Sequence, residues 1–277
     1  MTADPIRARS IFISDVHLGY RGANAEALLE FLEAAETEQL FLVGDIVDLE
    51  SLNRHYFWPR THGAIVAAIL RKAREGTRVI LVPGNHDAPL REFDGCIFGK
   101  IEIHRSFPHL TADGRRMLVL HGDELDGAID CHPLLARVGD AIYGCLLRAN
   151  RWINRIRARH GLPYWSFATS LKLSIAHAHR YIAGFERAAV ELARRRSMDG
   201  IICGHIHRPA LRDCEGIRYC NTGDWVESCT CVAEGFDGAL RLIAWPAHRH
   251  GNDIAGSHSR HIDGAVWPPG QVTEESP

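Results

Sequence analysis

Short apolar runs recur along the chain, each closing on a polar or turn-forming residue. They are Ile11-Phe12-Ile13, Leu40-Phe41-Leu42-Val43, Val79-Ile80-Leu81-Val82, Met117-Leu118-Val119-Leu120 and Gly200-Ile201-Ile202-Cys203. Runs that are continuous rather than alternating read as strands buried on both faces. Between the early runs the period changes to that of a helix. Asn24 is placed to cap a helix through Leu28, Leu29 and Leu32. Residues 64–75 predict a second helix, closed by Gly76 at the usual C-terminal glycine position. Strand alternating with helix predicts an α/β core. After residue 200 the pieces shorten, around 217–220, 228–233 and 239–245, which predicts a second sheet or an antiparallel finish.

Between Leu125 and Arg196 the pattern is helical throughout. Leu135, Val138, Ile142, Leu146, Trp152, Ile153 and Ile156 mark one apolar stripe, while Arg148, Arg151, Arg155 and Arg159 form a separate basic one. Gly161-Leu162-Pro163 breaks the helix. Phe167, Leu171, Ile175, Ala178, Ile182, Phe185, Ala189 and Leu192 then step by three or four residues. Two long amphipathic helices are therefore expected as an insertion over residues 125–198, inside a domain spanning 1–246. Packing on the core and capping the active site are both compatible with such helices. Residues 247–277 lack periodicity and are expected to be a disordered tail.

The composition of this 277-residue chain is that of an ordinary soluble domain, with 46% hydrophobic and 24% charged residues. No apolar run approaches the ~18 residues of a spanning helix. Eight scattered cysteines and no basic-then-apolar leader point to free thiols and a cytoplasmic location. Net charge is −2, but residues 134–196 hold twelve Lys and Arg against three acidic residues. That asymmetry leaves an acidic body carrying a basic segment. An anionic partner is indicated, either a nucleotide-linked or phosphate-containing molecule or the anionic surface of the inner membrane. A solvated helix face would produce the same charge pattern.

The candidate chemistry lies at the strand ends. The first run leads to Ser14-Asp15-Val16-His17 and the second to Gly44-Asp45. The third leads to Gly84-Asn85-His86-Asp87, the fourth to His121-Gly122-Asp123, and the fifth to Gly204-His205-Ile206-His207. In open α/β sheets ligands collect at the carboxyl ends of the strands. Taken singly, each piece reads more simply as a turn, a helix cap or a hydrogen-bonded histidine. Five in order, each after a strand, make a mixed oxygen and nitrogen donor set that suits manganese, iron or zinc better than calcium or magnesium. Asp15, His17, Asp45, Asn85, His121, His205 and His207 are too many ligands for one such ion and suit two sharing a carboxylate. Such a pair clamps a phosphoryl group.

This ordered set resembles the calcineurin-like metallophosphoesterase superfamily, whose pattern runs D-x-H, G-D, G-N-H-D, H and G-H-x-H. The resemblance implies a four-layer α/β/β/α sandwich, here with an inserted helical lid, and two divalent ions. One ion would take Asp15, His17, Asp45 and His207. The other would take Asp45, Asn85, His121 and His205. The resemblance also makes His86 a proton donor that contacts phosphate together with Asn85, and makes Asp87 the group that orients it. A closer resemblance rests on Ser14-Asp15-Val16-His17-Leu18-Gly19, His121-Gly122-Asp123-Glu124-Leu125-Asp126, Gly161-Leu162-Pro163-Tyr164-Trp165-Ser166 and Gly223-Asp224-Trp225-Val226-Glu227-Ser228-Cys229. These look like UDP-2,3-diacylglucosamine diphosphatase homologues, which act in lipid A synthesis and release UMP and the lipid 1-phosphate. The resemblance implies a pyrophosphatase whose lid holds acyl chains. Manganese is the expected metal, and the basic stripe of Arg148, Arg151, Arg155 and Arg159 is expected to face phosphates or anionic lipid, with any membrane association peripheral. Nucleic acid is not an expected partner. His86 stands where the best studied branch of that group has Arg, which makes this chain a sister branch. Other nucleotide-sugar pyrophosphates, phosphodiesters and phosphomonoesters therefore stay open as substrates.

Overall fold

Burial along the first strands alternates between two cores, and that alternation sets the architecture. Ile11, Ile13, Leu40, Leu42 and Val79 pack with Leu28, Phe31, Leu32, Ile65 and Ile69 from helices. Their neighbours Phe12, Phe41, Val43, Ile80 and Val82 pack with Met117, Val119, Ile202 and Cys220 instead. With a side-chain period of two, one face of the sheet meets helices and the other meets a second sheet. A strand apolar on both faces is what the continuous runs require.

The computed structural model describes residues 6–128, 168–246 and 260–261. In chain order the strands are β1 (Ile6–Ile13), β2 (Ala35–Val43), β3 (Arg78–Val82), β4 (Ile97–Phe98), β5 (Ile101–Ile103), β6 (Phe107–Leu110), β7 (Arg116–Val119), β8 (Gly200–Cys203), β9 (Ala210–Cys214), β10 (Ile217–Asn221), β11 (Thr230–Glu234), β12 (Leu240–Ala244) and β13 (Arg260–His261). The helices are α1 (Ala25–Ala34), α2 (Leu49–Arg54), α3 (Arg60–Glu75) and α4 (Ala168–Arg195). One sheet runs β13-β12-β11-β1-β2-β3-β5-β4 and the other β6-β7-β8-β10-β9. Strands β1, β2, β3 and β5 are mutually parallel, as are β7, β8 and β10. The expected strands and the two early helices are all present. Gly76 closes α3 at φ 113°, a left-handed position that glycine fills without steric cost. Asn24 sits at the start of α1, but its side chain does not cap it. Its amide donates instead to the Val226 carbonyl at 2.6 Å, tying the helix start to a distant loop.

Residues 122–197 form a compact unit of their own. Within it, the Tyr181 hydroxyl donates to Asp126 at 2.6 Å, fastening α4 to the turn over Asp123–Ala128. Phe185 and Ala189 of the stripe read from the sequence are buried, whereas Ile182 and Leu192 are only partly so and their neighbours Tyr181 and Ala193 are buried instead. The first expected helix of the insertion, with Arg148, Arg151, Arg155 and Arg159, lies outside the described residues. Of the expected tail, Arg260 and His261 add a short strand beside β12, and the rest is outside the described residues.

Glu234 of β11 is a fully buried carboxylate, and the two sheets meet around it. It accepts from Arg9 (2.6 Å), Ser10 (2.7 Å), His109 of the second sheet (2.7 Å) and the Ala112 backbone N–H (2.8 Å). Burial alone would raise its pKa, but these donors outweigh it and hold the carboxyl at about 2, against an ordinary 4.5. A depressed folded-state pKa gives stability that is present above the unfolded value and is lost as pH falls through the folded one. The gap is worth about 3 kcal/mol. Stability against chemical denaturation is therefore expected to fall between about pH 5 and pH 2, with a flatter profile in Glu234→Gln. A profile unchanged by that substitution would contradict this role.

Candidate active site

The carboxyl ends of β1, β2 and β3 in one sheet, and of β7 and β8 in the other, converge on one cluster of side chains. Three overlapping groups each bring one potential ligand atom per residue to within 4.8 Å of one another: Asp15, His17 and His207; His17, Asp45 and His86; Asp15, Asp45 and His121. The Asp45 Oδ2 atom is the shared centre. It lies 3.4 Å from His121 Nε2, 3.9 Å from His17 Nε2 and 4.0 Å from His86 Nε2. Asp15 Oδ1 lies 3.2 Å from His207 Nε2, whose ring nitrogen is 3.4 Å from that of His17. His205 donates its backbone N–H to Asp15 Oδ2 at 3.0 Å, and its ring packs edge-on against His121.

The chain adopts unfavourable backbone geometry to achieve this. Asp15, His17, Asp45, His205 and His207 all have φ between 52° and 71°. L-residues avoid this left-handed region, and such conformations persist where the surroundings over-determine them, often at functional sites. Gly44 and Gly204 permit close approach, because a Cβ would stand 2.2 Å from His121 Nδ1 at the first and 2.3 Å from Asp15 Oδ2 at the second.

Among the described residues, Asp15 Oδ1, Asp45 Oδ2 and His121 Nε2 of the cluster, and the neighbouring Asn85 Oδ1, are buried without a hydrogen-bond partner. Buried polar atoms are seldom left so. His121 Nδ1 donates to the Val43 carbonyl at 3.0 Å, which fixes the ring and aims Nε2 at Asp45. A metal-ligating histidine is usually held this way. Electrostatics point in the same direction. Burial opposes charge on His121, yet Asp45 and Asp15 outweigh it and lift its pKa to about 10. Burial likewise opposes charge on His207, and Asp15 overrides it to raise that pKa. Burial works against the Asp45 carboxylate as well, but His121 and His17 hold it at about 2 despite the neighbouring Asp15. Asp15, also penalised by burial, is pulled well below the ordinary range by His207, His121 and His17. The cluster therefore demands positive charge at its centre. Unpaired acceptors of mixed oxygen and nitrogen type fit divalent metal ions.

Two residues differ from the reading of the sequence. Asp87 was expected to orient His86. Its carboxylate instead accepts from the backbone N–H groups of Gly84 (2.6 Å), Ile46 (2.8 Å), Asp45 (3.3 Å) and Val47 (3.4 Å). It staples the loop after β2 to the loop after β3. Burial, followed by the charge of Asp45, raises its pKa. The carboxylate beside the His86 ring is that of Asp48, whose Oδ1 lies 3.1 Å from His86 Nδ1 and whose Oδ2 lies 3.5 Å from His17 Nδ1. Asp48 was passed over in the sequence; it also caps α2, accepting from the Ser51 N–H at 2.7 Å. Ser14 was also passed over. Its hydroxyl bonds Asp15, and at 2.5 Å it meets Thr222 from the end of β10, a sixth strand end that braces the site.

The profile of the calcineurin-like phosphoesterases matches residues 8–209. A protein named DNA polymerase II small subunit, from Thermoplasma acidophilum, is 28% identical over 252 residues, covering 80% of this chain and 46% of that one. The chain thus spans about half the length of that relative. A UDP-2,3-diacylglucosamine hydrolase from Xanthomonas campestris pv. campestris is 27% identical over 258 residues, covering 85% of this chain and 99% of that one. Among solved structures, vacuolar protein sorting 29 from Cryptosporidium parvum aligns with a TM-score of 0.43 at 13% identity, covering 91% of this chain and 97% of that one.

Proposed function

We propose that this chain, which belongs to the calcineurin-like phosphoesterase family, hydrolyses the pyrophosphate of a nucleotide-linked sugar, with UDP-2,3-diacylglucosamine as the first substrate to test. The observation that carries the hydrolase reading is the convergence of buried, unpaired acceptors on Asp45 Oδ2. Asp15, His17, Asp45 and His207 would hold one divalent ion, and Asp45, Asn85, His121 and His205 a second, with manganese preferred. Ions held there supply Lewis-acid polarisation of phosphoryl oxygens and a water nucleophile available near neutral pH.

The chain's own groups do the rest. Asn85 lies beside the cluster and would contact the phosphoryl group. His86 keeps part of its ring open to solvent, with Nδ1 held by Asp48. A donor fixed at one nitrogen presents the other to substrate, so Nε2 can pass a proton to the leaving oxygen. Asp48 orients that ring, and Asp87 keeps the two loops in register. The basic residues Arg148, Arg151 and Arg155, outside the described part of the chain, would meet phosphate or anionic lipid, with the insertion acting as a lid. No helix among the described residues is long and apolar enough to cross a membrane, so contact with lipid would be peripheral.

The substrate assignment draws on the motifs shared with the diphosphatase homologues and on relatives such as the Xanthomonas hydrolase. A product assay with Mn²⁺ tests it, offering UDP-2,3-diacylglucosamine beside a generic phosphodiester. UMP and the lipid 1-phosphate are expected from the first at about a hundredfold greater kcat/KM, since a site shaped to a substrate's polar groups discriminates at least that strongly. Equal turnover of both would keep the phosphoesterase and discard the lipid-linked substrate.

A further inference from the structure

Two exposed tyrosines and an Arg–Phe pair lie on the two segments that leave His17 and the helix begun by Asp48. Tyr20 is 46% exposed and Tyr56 82%. The Arg21 guanidinium lies over the Phe57 ring, 4.5 Å from its centroid. Tyr20 and Arg21 sit in the loop that leaves His17, and the Tyr20 N–H donates back to the His17 carbonyl at 3.0 Å. Tyr56 and Phe57 follow α2, the helix that Asp48 begins. Both segments therefore spring directly from groups of the cluster.

They are also locked together. His62 is only 2% exposed, and its Nδ1 accepts the Gly19 N–H at 3.1 Å. The rings of Phe57 and Trp58 pack edge-on against it. Gly19, at φ +111°, lies so close to α2 that a Cβ there would stand 2.6 Å from the Leu52 side chain. A buried histidine and a close-packed glycine thus hold the two loops as one wall. Aromatic faces joined by an arginine are the chemistry that stacks nucleobases. Every base has a π-face, and a guanidinium adds cation–π attraction and donors for ring carbonyls.

We infer that Tyr20, Arg21, Tyr56 and Phe57 form a platform for the base of a nucleotide-linked substrate, on the His17 and Asp48 side of the site. This rests on the hydrolase reading above and adds the place of the nucleoside. A membrane surface is the competing occupant. Tyrosine and a ring-stacked arginine, continuous with a phosphoester site, favour the base.

Calorimetric titration of the full chain loaded with Mn²⁺ tests the platform, comparing UMP with ribose 5-phosphate, which has the phosphate and no base. The wild type is expected to bind UMP roughly tenfold more tightly. The double variant Tyr20→Ala/Tyr56→Ala is expected to bind the two alike, and Tyr56→Phe, which keeps the ring, to retain most of the preference. Should the double variant not fold, Tyr56→Ala at its exposed position is read in its place, with part of the preference lost. Equal binding of the two ligands by the wild type, or an undiminished preference in the alanine variant, overturns the proposal. Partition onto phosphatidylglycerol vesicles that depends on these tyrosines, without any UMP preference, assigns the wall to membrane instead. A chain that prefers UMP through this wall yet releases none from UDP-2,3-diacylglucosamine keeps the platform and loses only the lipid-linked substrate.

Discussion

Asp45→Asn is expected to lower Mn²⁺-supported phosphoester hydrolysis by about a thousandfold or more while the protein stays folded. The size of the effect follows from position. Asp45 Oδ2 faces His121, His17 and His86 at 3.4, 3.9 and 4.0 Å. It also has no hydrogen-bond partner among the described residues. Losing its charge removes the centre from two overlapping ligand groups at once. The fold should tolerate the change for separate reasons. Asn is among the few residues at ease in the left-handed region that Asp45 occupies, at φ 53°. An amide oxygen can still accept the His86 N–H that Asp45 Oδ1 now accepts at 2.8 Å. The change relieves repulsion with Asp15 but also removes the stronger attraction of His121 and His17 in the metal-free protein. Thermal unfolding of the metal-free variant should stay cooperative but begin at a somewhat lower temperature, because a carboxylate held at about 2 in the folded state contributes stability at neutral pH. Near wild-type turnover in the purified variant would contradict the role given to Asp45.

His86→Ala is expected to cost about a hundredfold to a thousandfold on substrates with alkoxide leaving groups, and much less on p-nitrophenyl esters. A proton donor matters in proportion to the basicity of the departing oxygen, and p-nitrophenolate leaves without help. The Asp48→Asn variant should shift rates in the same sense but less, because Asp48 acts through the ring it holds at 3.1 Å. Rates on a series of leaving groups check this. An equal loss on every substrate would mean that His86 binds phosphate or metal and does not donate a proton.

Most of the site was legible in the sequence because its elements are local. A run such as Val79–Val82 is continuous because β3 is buried on both faces, and polar residues that follow such a run emerge at the carboxyl edge of a sheet. The three ligand groups draw on Asp15, His17, Asp45, His121 and His207, all residues singled out from spacing alone, together with His86. The errors arose where a side chain's partner comes from another loop. Asp87 follows His86 in sequence, yet its carboxylate faces backbone N–H groups of the loop after β2. Asp48 caps α2, and nothing local reveals that its oxygens also face two histidines. The buried contacts of Glu234 are equally silent, since Arg9, Ser10, His109 and Ala112 come from distant parts of the chain. The expected second sheet is present, but the pattern did not assign individual strands to it, because β3 and β7 are continuous apolar runs of the same kind.

Titration of the metal-free protein with Mn²⁺, followed by calorimetry and electron paramagnetic resonance, tests the central claim most directly. The expected result is two ions per chain with an exchange-coupled spectrum, because the two sets of ligands share the Asp45 carboxylate and shared-ligand ions sit about 3.5–4 Å apart. Asp45→Asn should abolish the coupling. A folded chain that binds no Mn²⁺ at stoichiometric concentrations, or one that binds isolated ions whose spectrum is indifferent to Asp45, would contradict the two-metal centre.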